Sequence, residues 1–290
     1  MLSSAVREFA TATELLAAQH GGEVQRILGE ALWRQPEEQR RLAERLQESV
    51  APLFMKSRFR QPERIGSCVL VHLDSGFYVF TAAHVIRDAG SATLLAPSEG
   101  RGGKLLPLRP CTAYLNFSER AHDLDVGVLV MPASQLGPFQ HHVFLGDSEI
   151  DRDDRPDDRG FQSFYFVLGY SASRTQVKVS RTERRIHQQS FQCSTQPVDA
   201  AEYLQQRTPE ADHILLDFDH KEIVLRGKRV TPPSLQGVSG GGIFHVYRDG
   251  KCTLVAIATE NLRNSRLIVG TRIKHFLTIV RELAGERTSL

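Results

Sequence analysis

Nowhere in the 290 residues is there an uncharged apolar run of about 18 residues or more, so no segment reads as a membrane-spanning helix. The first residues lack the basic region followed by an apolar one that marks a secretory leader; Arg7 and Glu8 sit there within an amphipathic pattern, and a cytoplasmic location is expected. Cysteine is scarce. Cys68, Cys111, Cys193 and Cys252 lie far apart without a CxxC pair, which argues against a zinc site and fits reduced thiols, although an even number leaves two disulfides open. An excess of one charge is also missing: 36 basic against 34 acidic residues leave +2, so nothing in the balance asks for nucleic acid or an anionic membrane. No repeat of fixed period occurs, and no metal or organic cofactor is implied.

What is present is the composition of an ordinary globular protein, 41% hydrophobic and 24% charged, long enough for one large domain with an extension. Residues 1–60 read as that extension. Leu2, Val6, Phe9 and Leu16 suit one helix, ended by Gly21-Gly22. Val24, Ile27, Leu28, Ala31 and Leu32 follow helical spacing in a second. Pro36 with Glu37 and Glu38 opens a third, with Leu42, Leu46, Val50 and Leu53 as its stripe. This extension is read either as a cap on the body or as a module for a regulatory protein or self-association.

From residue 61 to 290 the texture changes to short β-branched and aromatic runs broken by Gly, Pro, Asp and Ser. Ile65–Leu73, Phe77–Thr81, Val126–Met131, Phe164–Leu168, Ile214–Phe218, Ile243–Tyr247 and Leu254–Ala258 are expected strands, and many short strands without intervening long helices suggest barrels or a sandwich. Ile273, Phe276, Leu277, Val280 and Leu283 return to helical period. The stretch from Asp147 to Gly160 mixes acids with Arg152, Arg155 and Arg159; it reads as an exposed, self-neutralising connection and lacks the glycine-containing loop of a calcium site.

Three short segments carry chemistry. Gly237-Val238-Ser239-Gly240-Gly241 places a serine among glycines, which let a carbonyl approach the main chain and turn the N–H groups of Gly237 and Ser239 toward one point as an oxyanion hole. A serine is a poor nucleophile without a base. Thr81-Ala82-Ala83-His84 offers one, closing an apolar strand and leading into a short helical turn at Val85-Ile86-Arg87-Asp88. Other histidines, including His72, His122 and the pair His141-His142, have no such setting. Asp125, directly before the apolar Val126–Val130, is the carboxylate that could hold the imidazole; Asp123 shares its face on an extended chain and is the alternative.

Together these segments resemble the trypsin-like, chymotrypsin-fold serine peptidases, in which T-A-A-H, D-[IVL]-A-[VL]-L and G-x-S-G-G motifs occur in this order. The resemblance covers roughly residues 62–275. It implies a mainly β fold of two antiparallel six-stranded barrels, with His84, Asp125 and Ser239 as a triad in the cleft between them. Gly127 stands where alanine is usual. Val238 stands where digestive members carry the aspartate that pairs with a new amino terminus, so activation by that cleavage is not expected. In this the chain looks more like the bacterial, HtrA-like members, and Gly169-Tyr170-Ser171 resembles a turn found in them, yet no PDZ-type domain follows.

By position in that family, Pro233, Ser234, Leu235, Ala258, Thr259 and Glu260 would line the pocket for the residue before the scissile bond. Pro233 in place of an acid gives no support to Lys or Arg there. The expectation is a serine endopeptidase acting on a polypeptide substrate, restrained until triggered; the alternative is a silent protease fold that binds a partner.

Overall fold

The computed structural model describes residues 41–42, 44–56, 62–99, 102–109, 112–117, 124–151, 164–171, 185–187, 190–218, 223–225, 228–230, 235–247, 251–262 and 265–288. The first two helices of the extension lie outside these, as do Asp123, Cys111, Pro233, Ser234 and most of the acidic stretch after Asp151.

In the first half of the chain the strands are β1 (Val50–Lys56), β2 (Pro62–Leu73), β3 (Gly76–Thr81), β4 (Leu94–Glu99), β5 (Gly102–Pro107), β6 (Thr112–Phe117) and β7 (Asp125–Met131), with helix α1 (Ala83–Ala89) between β3 and β4. The second half holds β8 (Phe164–Gly169), β9 (Arg185–His187), β10 (Phe191–Thr195), α2 (Ala200–Gln206), β11 (His213–Asp217), β12 (Ile223–Leu225), β13 (Lys228–Val230), β14 (Gly242–Val246), β15 (Cys252–Leu262), β16 (Leu267–Arg272) and α3 (Ile273–Thr288). One sheet runs β6-β7-β3-β2-β1-β4-β5-β9 and the other β10-β8-β14-β15-β16-β11, with β12 and β13 as a separate ribbon. Each strand pairing is antiparallel. The second sheet has six strands; the first has eight, seven from the first half of the chain and β9 from the second, where six were expected.

Seven expected strands correspond to β2, β3, β7, β8, β11, β14 and β15, and α3 is the expected terminal helix. The third helix of the extension is a correction. Residues 41–42 and 44–46 are helical, but Val50 and Leu53 belong to β1, which pairs with β2 from Val50↔Val69 to Lys56↔Pro62. Pro52 explains the change: it has no N–H to give a helix and biases Ala51 toward extended backbone. The β body therefore takes in residues assigned above to the helical extension.

Strand β2 is the spine of the fold because both its faces are buried. Val69, Val71 and Leu73 enter a core shared with Phe166, Leu168, Phe244 and Leu254 of the other sheet and with Phe276 of α3. Cys68 and Leu70 face a second core with Val79, Val85 and Leu129 inside the first sheet. Alternate residues of a strand point to opposite sides, so one strand serves two cores. Burying each such side chain contributes about 1.5–3 kcal/mol. The shared core joins the sheets into one body. Among the described residues no helix is long and apolar enough to cross a membrane.

Candidate active site

His84 is the second residue of α1, immediately past the end of β3. Ala82 and Ala83 are fully buried, so the chain turns from strand to helix against the core with nothing bulky behind the imidazole. Asp125 opens β7, which lies beside β3 in the register Thr81↔Gly127. That pairing brings the acid to the histidine. One carboxylate oxygen, Oδ2, lies 2.5 Å from His84 Nδ1, and the other, Oδ1, accepts the backbone N–H of His84 at 2.9 Å. Both side chains are mostly shielded, 25% exposed for His84 and 13% for Asp125.

Gly127 eases the approach of the two elements. A Cβ there would stand 2.9 Å from Ile86 Cδ1, 3.1 Å from the Thr81 carbonyl oxygen and 3.2 Å from the Ala82 carbonyl carbon. Alanine would need the Ile86 methyl to swing aside and the main chain to give by a few tenths of an ångström, so glycine eases this approach without being required for it.

Ser239 lies in the tight turn before β14. Gly240 has φ +87° and its backbone N–H donates to the Ala258 carbonyl at 2.7 Å, while Gly241 N–H donates to Val238 at 2.8 Å. A side chain at Gly240 would collide with the Ser67 carbonyl and the Thr81 hydroxyl, so this position excludes other residues on both conformation and space. The serine turn and the histidine segment converge on β2: a methyl added at Gly66 would meet both Val85 methyls at 2.7 Å and the Ser239 carbonyl oxygen at 3.0 Å. Neither the Gly237 nor the Ser239 N–H donates to any described residue.

The serine hydroxyl is turned toward β15. Ser239 Oγ donates to the Thr259 carbonyl at 3.4 Å, and among the described residues it makes no hydrogen bond to His84. Thr259 is the bulged residue of β15, since Ala258 pairs with Gly270 and Glu260 with Val269; the bulge frees its carbonyl to face the serine.

Of the residues assigned to a specificity pocket, Pro233 and Ser234 lie outside the described residues. Leu235 and Ala258 are buried in a hydrophobic core with Ile243 and Ile268, so their side chains are not available to a ligand. Thr259 is buried and donates its hydroxyl to Val269 at 3.3 Å. Among the four described, Glu260 is the exposed one, one residue beyond the carbonyl that meets Ser239.

Of the other histidines named above, His122 lies outside the described residues, while His142 and His72 have structural uses. Both ring nitrogens of His142 face carbonyls, Glu48 at 3.1 Å and Pro97 at 2.9 Å, and the His72 ring stacks on Phe77 at 4.3 Å. Cys68 and Cys252 are free, and burial pushes each thiol up to about 12, leaving both protonated and inert. Among the described residues no cluster of three or more His, Cys, Asp or Glu could hold a metal ion.

Two residues at the site escaped the motif reading: Ser67, within the plain Gly66-Ser67 pair ahead of an apolar run, and the carbonyl of Thr259. A main-chain acceptor leaves no mark in a sequence. No protein-family model matches this chain, and no curated protein matches it.

Proposed function

We propose that the chain is a serine endopeptidase of the chymotrypsin-like, double-barrel kind. The observation that carries this reading is the His84–Asp125 pair, bonded through the ring and again through the backbone, set beside a serine in a glycine turn with two unused N–H donors. With Nδ1 held by the carboxylate, Nε2 is the nitrogen left to act as base. It takes the proton of Ser239 Oγ as that oxygen bonds to the substrate carbonyl carbon. The oxyanion is received by the N–H groups of Gly237 and Ser239. The imidazolium, stabilised by Asp125, then protonates the leaving amine as the C–N bond breaks, and water releases the acyl group from Ser239 by the same steps.

Labelling with a fluorophosphonate tests this, read by intact mass on wild type, Ser239→Ala and His84→Ala. Labelling of wild type alone is expected. A wild type that stays unlabelled under every condition, an added polypeptide partner included, would overturn the reading.

One observation favours a second reading, a restrained enzyme or a protease fold that only binds a partner: Ser239 Oγ rests on Thr259 and not on His84. Labelling that begins only when a polypeptide partner is added marks a restrained enzyme; no labelling under any condition leaves the binding protein.

A further inference from the structure

Ser67, fully buried on β2, spends every polar group it has on the segments around the site. Its Oγ donates to the Gly237 carbonyl at 2.8 Å and accepts the Tyr170 backbone N–H at 2.9 Å. Its own N–H donates to the Ser239 carbonyl at 2.8 Å, and its carbonyl accepts the Thr81 hydroxyl at 2.7 Å. One residue thus touches the serine turn twice, the segment after β8 once and the end of the histidine's strand once.

The hydroxyl has the most specific task. Val238 N–H donates to Leu235 at 2.9 Å, so the peptide unit joining Gly237 to Val238 is pinned at its N–H by its own turn and at its carbonyl by Ser67. Gly237 has φ +88° and no Cβ to resist rotation. Without the hydroxyl that carbonyl loses its partner, the unit stays tied only through the Val238 N–H, and the flexible Gly237, which carries one of the two oxyanion N–H groups, is freer to rotate.

We propose that Ser67 is a positioning residue for acyl transfer at Ser239, holding the serine turn so that the Gly237 and Ser239 N–H groups point at the developing oxyanion. The proposal rests on the peptidase reading above. Ser67 touches no substrate and acts through Gly237, so its effect falls on transition-state stabilisation rather than on substrate binding.

The test uses the full chain with Ser67→Ala. Thr81→Val serves as the control, since it cuts another buried hydrogen bond to Ser67 while leaving Gly237 tied. Removing one oxyanion donor costs about 10²–10³ in kcat, and loosening one costs less, so Ser67→Ala is expected to lower kcat about 10- to 100-fold with KM within about twofold. Affinity for a peptide aldehyde, which forms a tetrahedral adduct, should fall in proportion to kcat, while affinity for the matching non-reactive peptide amide holds. Thr81→Val should lose comparable stability and keep most of its kcat. If Ser67→Ala does not fold, Ser67→Cys takes its place, keeping the volume but supplying a weak donor, with the same direction expected.

A Ser67 variant whose kcat matches wild type, or whose loss Thr81→Val reproduces, overturns the positioning role and leaves the peptidase reading standing. A wild type that neither labels with fluorophosphonate nor turns over peptide under any condition, an added polypeptide partner included, overturns both.

Discussion

Asp125 gives one oxygen to the His84 ring and the other to the His84 backbone, so the imidazole is held against both rotation and displacement. Asp125→Asn keeps the shape but presents an amide donor where the Nδ1–H needs an acceptor. Labelling and peptide hydrolysis are expected to fall about 10³–10⁴-fold with little change in fold, checked by kcat and far-UV circular dichroism. Arg64 lies beside the irregularity where β2 skips Ile65, and its three guanidinium nitrogens are buried with no hydrogen-bond partner among the described residues. Burial lowers its pKa from the ordinary arginine range to about 10. Because the folded value is the lower one, the charge costs stability at every pH below about 10, and the cost is relieved only as pH rises from there toward the ordinary arginine range. Arg64→Met should therefore raise stability in urea at neutral pH by about 1–3 kcal/mol; a drop would mean that the guanidinium has a partner after all. Cys68 has the opposite sign. Its folded value stands above the ordinary 9.0, so its contribution is complete below pH 9 and is lost as pH climbs toward 12.

Among the elements, α3 does more than close the chain. Phe276, fully buried, sets its ring 5.2 Å from that of Phe80, which is one residue from the end of β3. Phe276→Ala should cost about 3–5 kcal/mol in thermal or urea unfolding, and a loss below about 1 kcal/mol would show that α3 is not part of the shared core. The elements divide cleanly by what a sequence can reveal. β2, β3, β7, β14 and β15 carry β-branched runs bounded by turn residues and were legible. β1 was not, since Leu46, Val50 and Leu53 also satisfy helical spacing and only Pro52 argues otherwise. β4, with Pro97 inside it, and β9, of three residues, become strands only because a neighbour supplies the partner edge. The same contrast holds at the site. His84, Asp125 and Ser239 sit in local settings that advertise them. A pocket is assembled from distant segments, and Leu235 and Ala258 turned out to be core.

At the scale of the molecule, the core around β2 draws residues from both sheets and from α3. The two halves should therefore unfold together. Near-ultraviolet and far-ultraviolet circular dichroism are expected to trace one coincident urea transition, and two separated transitions would mean that the halves are independent domains. The candidate site repeats that division, with His84 and Asp125 on the first half and Ser239 on the second. The serine turn is shaped by strands that follow it, because Gly240 and Gly241 are held through Ala258 of β15. A chain emerging from the ribosome thus presents His84 and Asp125 well before Ser239. Its turn stays unformed until β15 has been made and folded back. On the proposed reading any hydrolytic capacity waits on β15, so a chain that stops short of this strand carries the histidine and the acid without a formed serine turn.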